Sequence, residues 1–189
     1  MRSLALALLV AAPSLAFAQE PPAAPDIAAV ERGFFIESDF GASFLVTGID
    51  ERTFGLGLMT GLYLGYDVAP MLSLSLGAAA MVAPGAPDNV PVGDLIFVSP
   101  QLNVQFALVT TERNFLYLRA SGGFGMALPE TVSGQQFGGY GPTFSAWIGF
   151  ERYTQLRHFS FNIRAGAFGV TRPGFGIAAA IVPGAKYTF

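Results

Sequence analysis

The sequence predicts an all-β protein: an eight-stranded antiparallel up-and-down transmembrane β-barrel with short loops. Three observations predict it. Apolar residues recur at every second position along most of the 189 residues, the period of a strand whose two faces meet different surroundings. The chain is 52% hydrophobic and 12% charged, against roughly 25% charged in an ordinary soluble domain. After residue 18 no apolar run is long enough to cross about 30 Å of hydrocarbon as a helix. Eighteen phenylalanines and a mean hydropathy of +0.49 exclude a solvated coil. A net charge of −3 offers no basic footprint for nucleic acid. The absence of cysteine excludes disulfides and thiolate metal sites, and no cofactor is expected.

The N-terminus predicts export. Met1 and Arg2 precede an apolar stretch from Leu4 to Leu15 that ends in Ala16-Phe17-Ala18, the order of a secretory signal peptide cut after Ala18. A retained anchor would need a longer apolar run. Residues 19–32, rich in Pro and Ala, read as an exposed periplasmic leader, which leaves 33–189 for the barrel.

The strands follow in order. Gly33 to Thr47 sets Phe34, Ile36, Phe40, Ala42, Phe44 and Val46 against Glu37, Asp39, Gly41 and Ser43. Phe54 to Val68 alternates Leu, Phe and Tyr with Gly, Met59, Tyr63 and Asp67, and Leu72 to Val82 repeats the pattern after Ala69-Pro70. Ile96 to Leu108 alternates apolar residues with Phe97, Ser99, Gln101, Asn103 and Gln105; Leu116 to Met126 alternates them with Tyr117, Arg119, Ser121 and Gly123. Tyr140 to Tyr153 opposes Phe144, Ala146, Ile148 and Phe150 to Ser145, Trp147 and Glu151. From His158 to Val170 the phase shifts by one, and Phe175 to Phe189 closes the set. Eight is an even number, so the last strand can lie beside the first.

The chemistry of the two faces separates a membrane barrel from a soluble sandwich or lipocalin-like barrel, which shows charges to water and large aliphatics to its core. Here the non-aliphatic face carries mainly Gly, Ser, Asn, Gln and a few charges, groups that suit the narrow interior of an eight-stranded barrel. The aliphatic face is then left to lipid. In hydrocarbon every amide must pair within the protein, and among sheets only a closed one achieves that.

Short turns at 69–71, 111–114 and 154–157 mark the periplasmic end, and the longer connectors 48–53, 84–93, 129–139 and 171–174 the outer one. Outward aromatics form two bands: Phe34, Tyr66, Phe106, Phe150, Phe159, Tyr187 and Phe189 at the turn end, and Phe44, Phe54, Tyr140 and Phe175 at the other, at headgroup level. Pro100, Pro142 and Pro183 lie inside strands and predict bulges there.

The chain ends in Lys186-Tyr187-Thr188-Phe189, with Ile181 further up the same face. This resembles the C-terminal sorting signal of bacterial outer-membrane proteins, with Tyr187 and Phe189 as its signature residues. The resemblance implies the bacterial outer membrane as location, and the barrel assembly machinery and outer-membrane lipids as partners. Residues 33–189 are similar in architecture to the small eight-stranded outer-membrane barrels, the OmpA transmembrane domain and OmpX, without a family-specific motif. The sequence departs from OmpA in that no peptidoglycan-binding domain follows the last strand. The Ala- and Gly-rich, Lys-poor composition with short loops also loosely resembles barrel components of the myxobacterial gliding apparatus such as CglE.

Alternation points Glu37, Asp39, Arg119, Glu151, Arg164 and Lys186 inward, in the middle or periplasmic half of the lumen. Near-balanced charge in a narrow interior reads as an ion-paired plug, because an unpaired buried charge is costly; a gated ion path is the sharper alternative. His158-Phe159-Ser160 resembles the His-x-Ser dyad of lipid A 3-O-deacylases, and period two would place both polar groups on one face. The departure is that no acid follows Glu151 to orient the imidazole. Asp88-Asn89 and Gln135-Gln136-Phe137 are candidate exposed loop tips. The expected function is a non-enzymatic structural or protein-interaction component of the cell envelope with a partner of unknown identity, membership of a motility or surface complex being one form of it. The alternatives are a narrow solute or ion channel and a lipid A-modifying hydrolase.

Overall fold

A computed structural model describes residues 31–46, 53–54, 56–86, 94–128, 131–132, 135–136, 139–171 and 176–189. The expected signal peptide, Asp88-Asn89, Phe137 and Phe175 lie outside the described residues.

Eight long strands form the molecule: β1 (Phe34–Leu45), β2 (Leu56–Ala69), β3 (Leu72–Ala86), β4 (Asp94–Thr110), β5 (Asn114–Leu128), β6 (Gly139–Tyr153), β7 (Phe159–Val170) and β8 (Gly176–Thr188). Each pairs antiparallel with its neighbours in sequence, and β1 pairs with β8 from Phe35↔Thr188 to Leu45↔Ala178, so the sheet closes. Thr53–Phe54 extends the end of the β2–β3 hairpin against Gly85 and Ala86, and Thr131–Val132 pairs with Gln135–Gln136 in the loop after β5. At 12 to 17 residues the long strands exceed the roughly 9 to 11 needed to cross a bilayer at a tilt.

The two faces differ as the alternation requires. Leu64 and Leu76 are 64% and 65% exposed on the outside, while Tyr63 and Val182 are 2% and 0% exposed within. The outward set is aliphatic and aromatic from Phe34 to Phe189, the inverse of a water-soluble barrel. At the turn end the aromatics touch one another. Phe34 meets Tyr66 at 4.8 Å between ring centroids, and Tyr187 meets Phe189 at 5.2 Å, edge-on. Phe44 and Tyr140 are exposed at the opposite end.

The bulges expected at the three prolines are absent. The β3–β4 register runs unshifted through Ala78↔Pro100, β5–β6 through Phe124↔Pro142, and β7–β8 through Ile163↔Pro183. All three prolines face outward. On their other sides Pro100 and Pro183 fall where pairing lapses, between Val98↔Met126 and Gln101↔Gly123, and between Asp39↔Gly184 and Ala42↔Ile181. A residue without an N–H costs one ladder bond there and needs no extra residue. The register shifts sit instead beside the short turns, between Asp67 and Ala69 and between Ala107 and Val109, where a strand must bend into its connector.

Some glycines hold the wall closed. A Cβ at Gly41 would run into the backbone of Ile181 and Val182 on β8, at the ladder that seals the barrel. Gly41→Val is therefore expected to lower unfolding free energy by about 1–3 kcal/mol in urea titrations of the lipid-inserted protein. Ala42→Val, on the exposed face, should change it by less than about 0.5 kcal/mol.

Candidate functional site

The lumen is divided along its axis. Its turn-end half is ionic. Glu37 on β1 is the hub: Arg119 donates from Nη2 to its Oε2 at 2.6 Å, and Arg164 donates from Nη1 to its Oε1 at 3.1 Å. Arg164 also donates through Nη2 to Oδ2 of Asp39. Gln105 accepts from Arg119 Nε at 3.0 Å and Nη2 at 2.6 Å, and Asn162 donates to Glu37 at 3.3 Å. Aromatic faces line the cations. Tyr63 lies 5.7 Å from the Arg119 guanidinium and 5.3 Å from that of Arg164, and Trp147 lies 5.3 Å from Arg164.

Nearer the turns, Lys186 Nζ stands 3.5 Å from Asp67 Oδ1, 3.7 Å from Glu151 Oε1 and 4.1 Å from the centre of the Phe35 ring. Ser160 donates to Glu151 and Ser73 to Asp67, each at 2.6 Å. The structure thus brings together Glu37, Asp39, Arg119 and Arg164 in one cluster and Glu151 and Lys186 in another. Asp67 had been placed on the inward series by its odd position but not among the lumen charges. Among the described residues it makes the lumen's fourth carboxylate against three cations.

The loop-end half is apolar, which departs from the expectation of an interior filled by small and polar groups. Met59, Met81, Phe97, Trp147, Phe168, Val170 and Val182 pack into one buried cluster with Ala79, Ala127, Ala178 and Ala180. The alternation already put Met59, Phe97 and Trp147 on the inner face; the signal was their bulk, one on each of three strands. Polar bonds continue beside it, with the Ser99 and Thr143 hydroxyls of β4 and β6 2.5 Å apart and, within β6, Trp147 Nε1 donating to Ser145 at 2.6 Å. The charge network and the apolar cluster follow one another along the lumen.

The shared face that period two assigned to His158 and Ser160 does not hold, and His158 stands at the rim. β7 begins at Phe159, so His158 lies in the connector and escapes the strand's alternation. Its Nδ1 meets Glu31 Oε2 at 2.7 Å and its ring stacks on Tyr187 at 5.9 Å. Ser160 is wholly buried and bonded to Glu151. A serine nucleophile needs an adjacent base, and this imidazole is turned to the rim. Tyr187, Phe189 and Ile181 share the outward face.

Removing the hub should expose its worth. Glu37→Ala leaves two buried guanidiniums short of a partner, and such a loss costs about 3–5 kcal/mol. Urea unfolding of the vesicle-inserted protein, read by the fluorescence of Trp147, is expected to show that drop. Glu37→Ala combined with Arg119→Met and Arg164→Met should recover part of it.

No protein-family model and no curated protein matches the sequence. Solved structures do match. Neisserial surface protein A superimposes with a TM-score of 0.64 at 13% identity, over 83% of this chain and 97% of that one. Ail, the attachment invasion locus protein of Yersinia pestis, gives 0.57 at 16% identity over 84% and 100%. The outer membrane protein OprG from Pseudomonas aeruginosa gives 0.57 at 14% identity over 86% and 99%. At such identities the likeness speaks for the fold. The chain has the closed eight-stranded antiparallel fold of these small outer-membrane barrels.

Proposed function

We propose that the chain resides in the bacterial outer membrane as a non-conducting, non-enzymatic barrel, a structural or protein-interaction component of the cell envelope. The observation that carries this reading is the lumen stoppered twice, by the Glu37–Arg119–Arg164 cluster and by the apolar packing around Trp147 and Phe168. An eight-stranded barrel has room for little beyond its own side chains, and here those side chains are paired or packed. The fold shared with envelope barrels of three bacterial genera supports the location. The aromatic C-terminal residues support handling by the barrel assembly machinery, and the Leu4–Leu15 stretch supports export.

With the interior occupied, contacts with other molecules fall to the outward wall, the connectors and the rims. Membership of a gliding or other surface complex is one form of this reading; the structures named above add nothing to it. In planar bilayers the folded protein is expected to be silent. Steps of conductance that change on Arg119→Ala or Arg164→Ala would transfer support to the channel reading. Crosslinking in intact cells is expected to recover an envelope protein, and recovery of none would remove the interaction reading.

A further inference from the structure

The rim at the turn end is not uniform. On the side of β5, β6 and β7 three arginines stand exposed: Arg113 in the connector before β5, Arg152 near the end of β6 and Arg157 in the connector before β7. The ladder brings Arg113 and Arg152 together. Arg152 is opposite Asn114 on β5 and Phe161 on β7, and the Tyr153 amide donates to the Arg113 carbonyl at 2.9 Å. Arg157 lies in the five-residue connector that leaves the end of β6.

None of the three guanidiniums has a carboxylate within ion-pair reach among the described residues; exposed Glu112 is the chain neighbour of Arg113. The other rim charges are engaged. Glu31 pairs with His158, while Arg32 donates to the Pro70 carbonyl and lies over the Phe115 ring at 5.5 Å. Inside the mouth, Lys186 is held between Asp67 and Glu151.

The arginines sit just beyond outward aromatics. Phe150 is two residues before Arg152 on the same face, and Phe161 is its cross-strand neighbour; both are exposed. Leu156, 69% exposed, occupies the connector next to Arg157. Aromatic rings take the headgroup level of a bilayer, so free guanidiniums one step further meet phosphates, which they bind in a planar fork. A bare leucine among arginines belongs at the same boundary, where its side chain can enter the acyl region.

We infer that Arg113, Arg152 and Arg157 form a binding arc for the headgroups of anionic phospholipids in the leaflet at the turn end, with Leu156 seated among the first methylenes. The arc fixes the height of the barrel on its β5–β7 side and gives the wall one flank that prefers a charged lipid. The inference rests on the membrane reading above.

The test uses the full exported chain folded into vesicles of phosphatidylglycerol and phosphatidylcholine in equal amounts, extracted in mild detergent, with the retained lipid quantified by mass spectrometry. Phosphatidylglycerol should be enriched, and each arginine replaced by Gln should lower the enrichment about fivefold, as expected for a basic side chain near a charged lipid surface. The triple Lys variant should keep most of it. Independently of any variant, raising ionic strength from about 0.01 M to about 1 M, which shortens the screening length from about 30 Å to 3 Å, should abolish the preference. Equal retention of the two lipids by a folded barrel, or a preference indifferent to salt and to the triple Gln substitution, would overturn the arc and leave the membrane reading standing. Failure to fold into vesicles of either lipid would instead remove the membrane reading, and the arc with it.

Discussion

Everything in this molecule depends on the ladder between β1 and β8. A sheet in hydrocarbon cannot leave an edge, because each unpaired amide there costs several kcal/mol. The pairing of Phe35 with Thr188 through to Leu45 with Ala178 removes both edges at once. Closure then fixes which side of each strand is inside, and the alternation of the whole chain follows. Gly41 marks how close the two strands come, since even one methyl there meets backbone. Pro183, on the same seam, lies where the ladder already lapses, so the missing donor is absorbed without a shift of register.

Closure creates a second problem, a narrow interior that must be filled. The chain fills it with two chemistries at two heights. At the turn end, charges from β1, β5 and β7 meet in one cluster, so that Glu37 serves two guanidiniums at once. At the loop end, methionine, aromatic and valine side chains pack as in an ordinary core. A buried ion pair is weak as a source of net stability but penalises its own disruption heavily. Strands paired out of register would strand those charges, so the network favours this closure over slipped ones. A one-residue slip would also turn the apolar stopper toward lipid and the leucines inward.

The architecture was legible in the sequence because lipid and lumen make opposite demands on successive residues, and Leu56 to Val68 could hardly alternate more strictly. The inward direction of Glu37, Asp39, Arg119, Glu151, Arg164 and Lys186 could be read for the same reason. Their partners could not, because Glu37 and Arg119 are 82 residues apart and meet only through the curvature of the closed wall. The apolar half of the lumen escaped because Met59, Phe97 and Trp147 each look like an isolated exception on a polar face until the strands are staggered. His158 was misplaced by extending a period of two one residue beyond its strand. The prolines misled because their cost depends on which neighbour the missing N–H would have faced, a property of register and not of composition.

The central claim is that oil bathes the leucine- and phenylalanine-bearing face. Removing the amphiphile tests it most directly: the chain lacking residues 1–18, folded in detergent and then transferred to plain buffer, is followed by analytical sedimentation together with Trp147 fluorescence. The account predicts aggregation or unfolding, because a continuous belt running from Phe34 to Phe189 would meet water. A folded monomer that persists in buffer would contradict it.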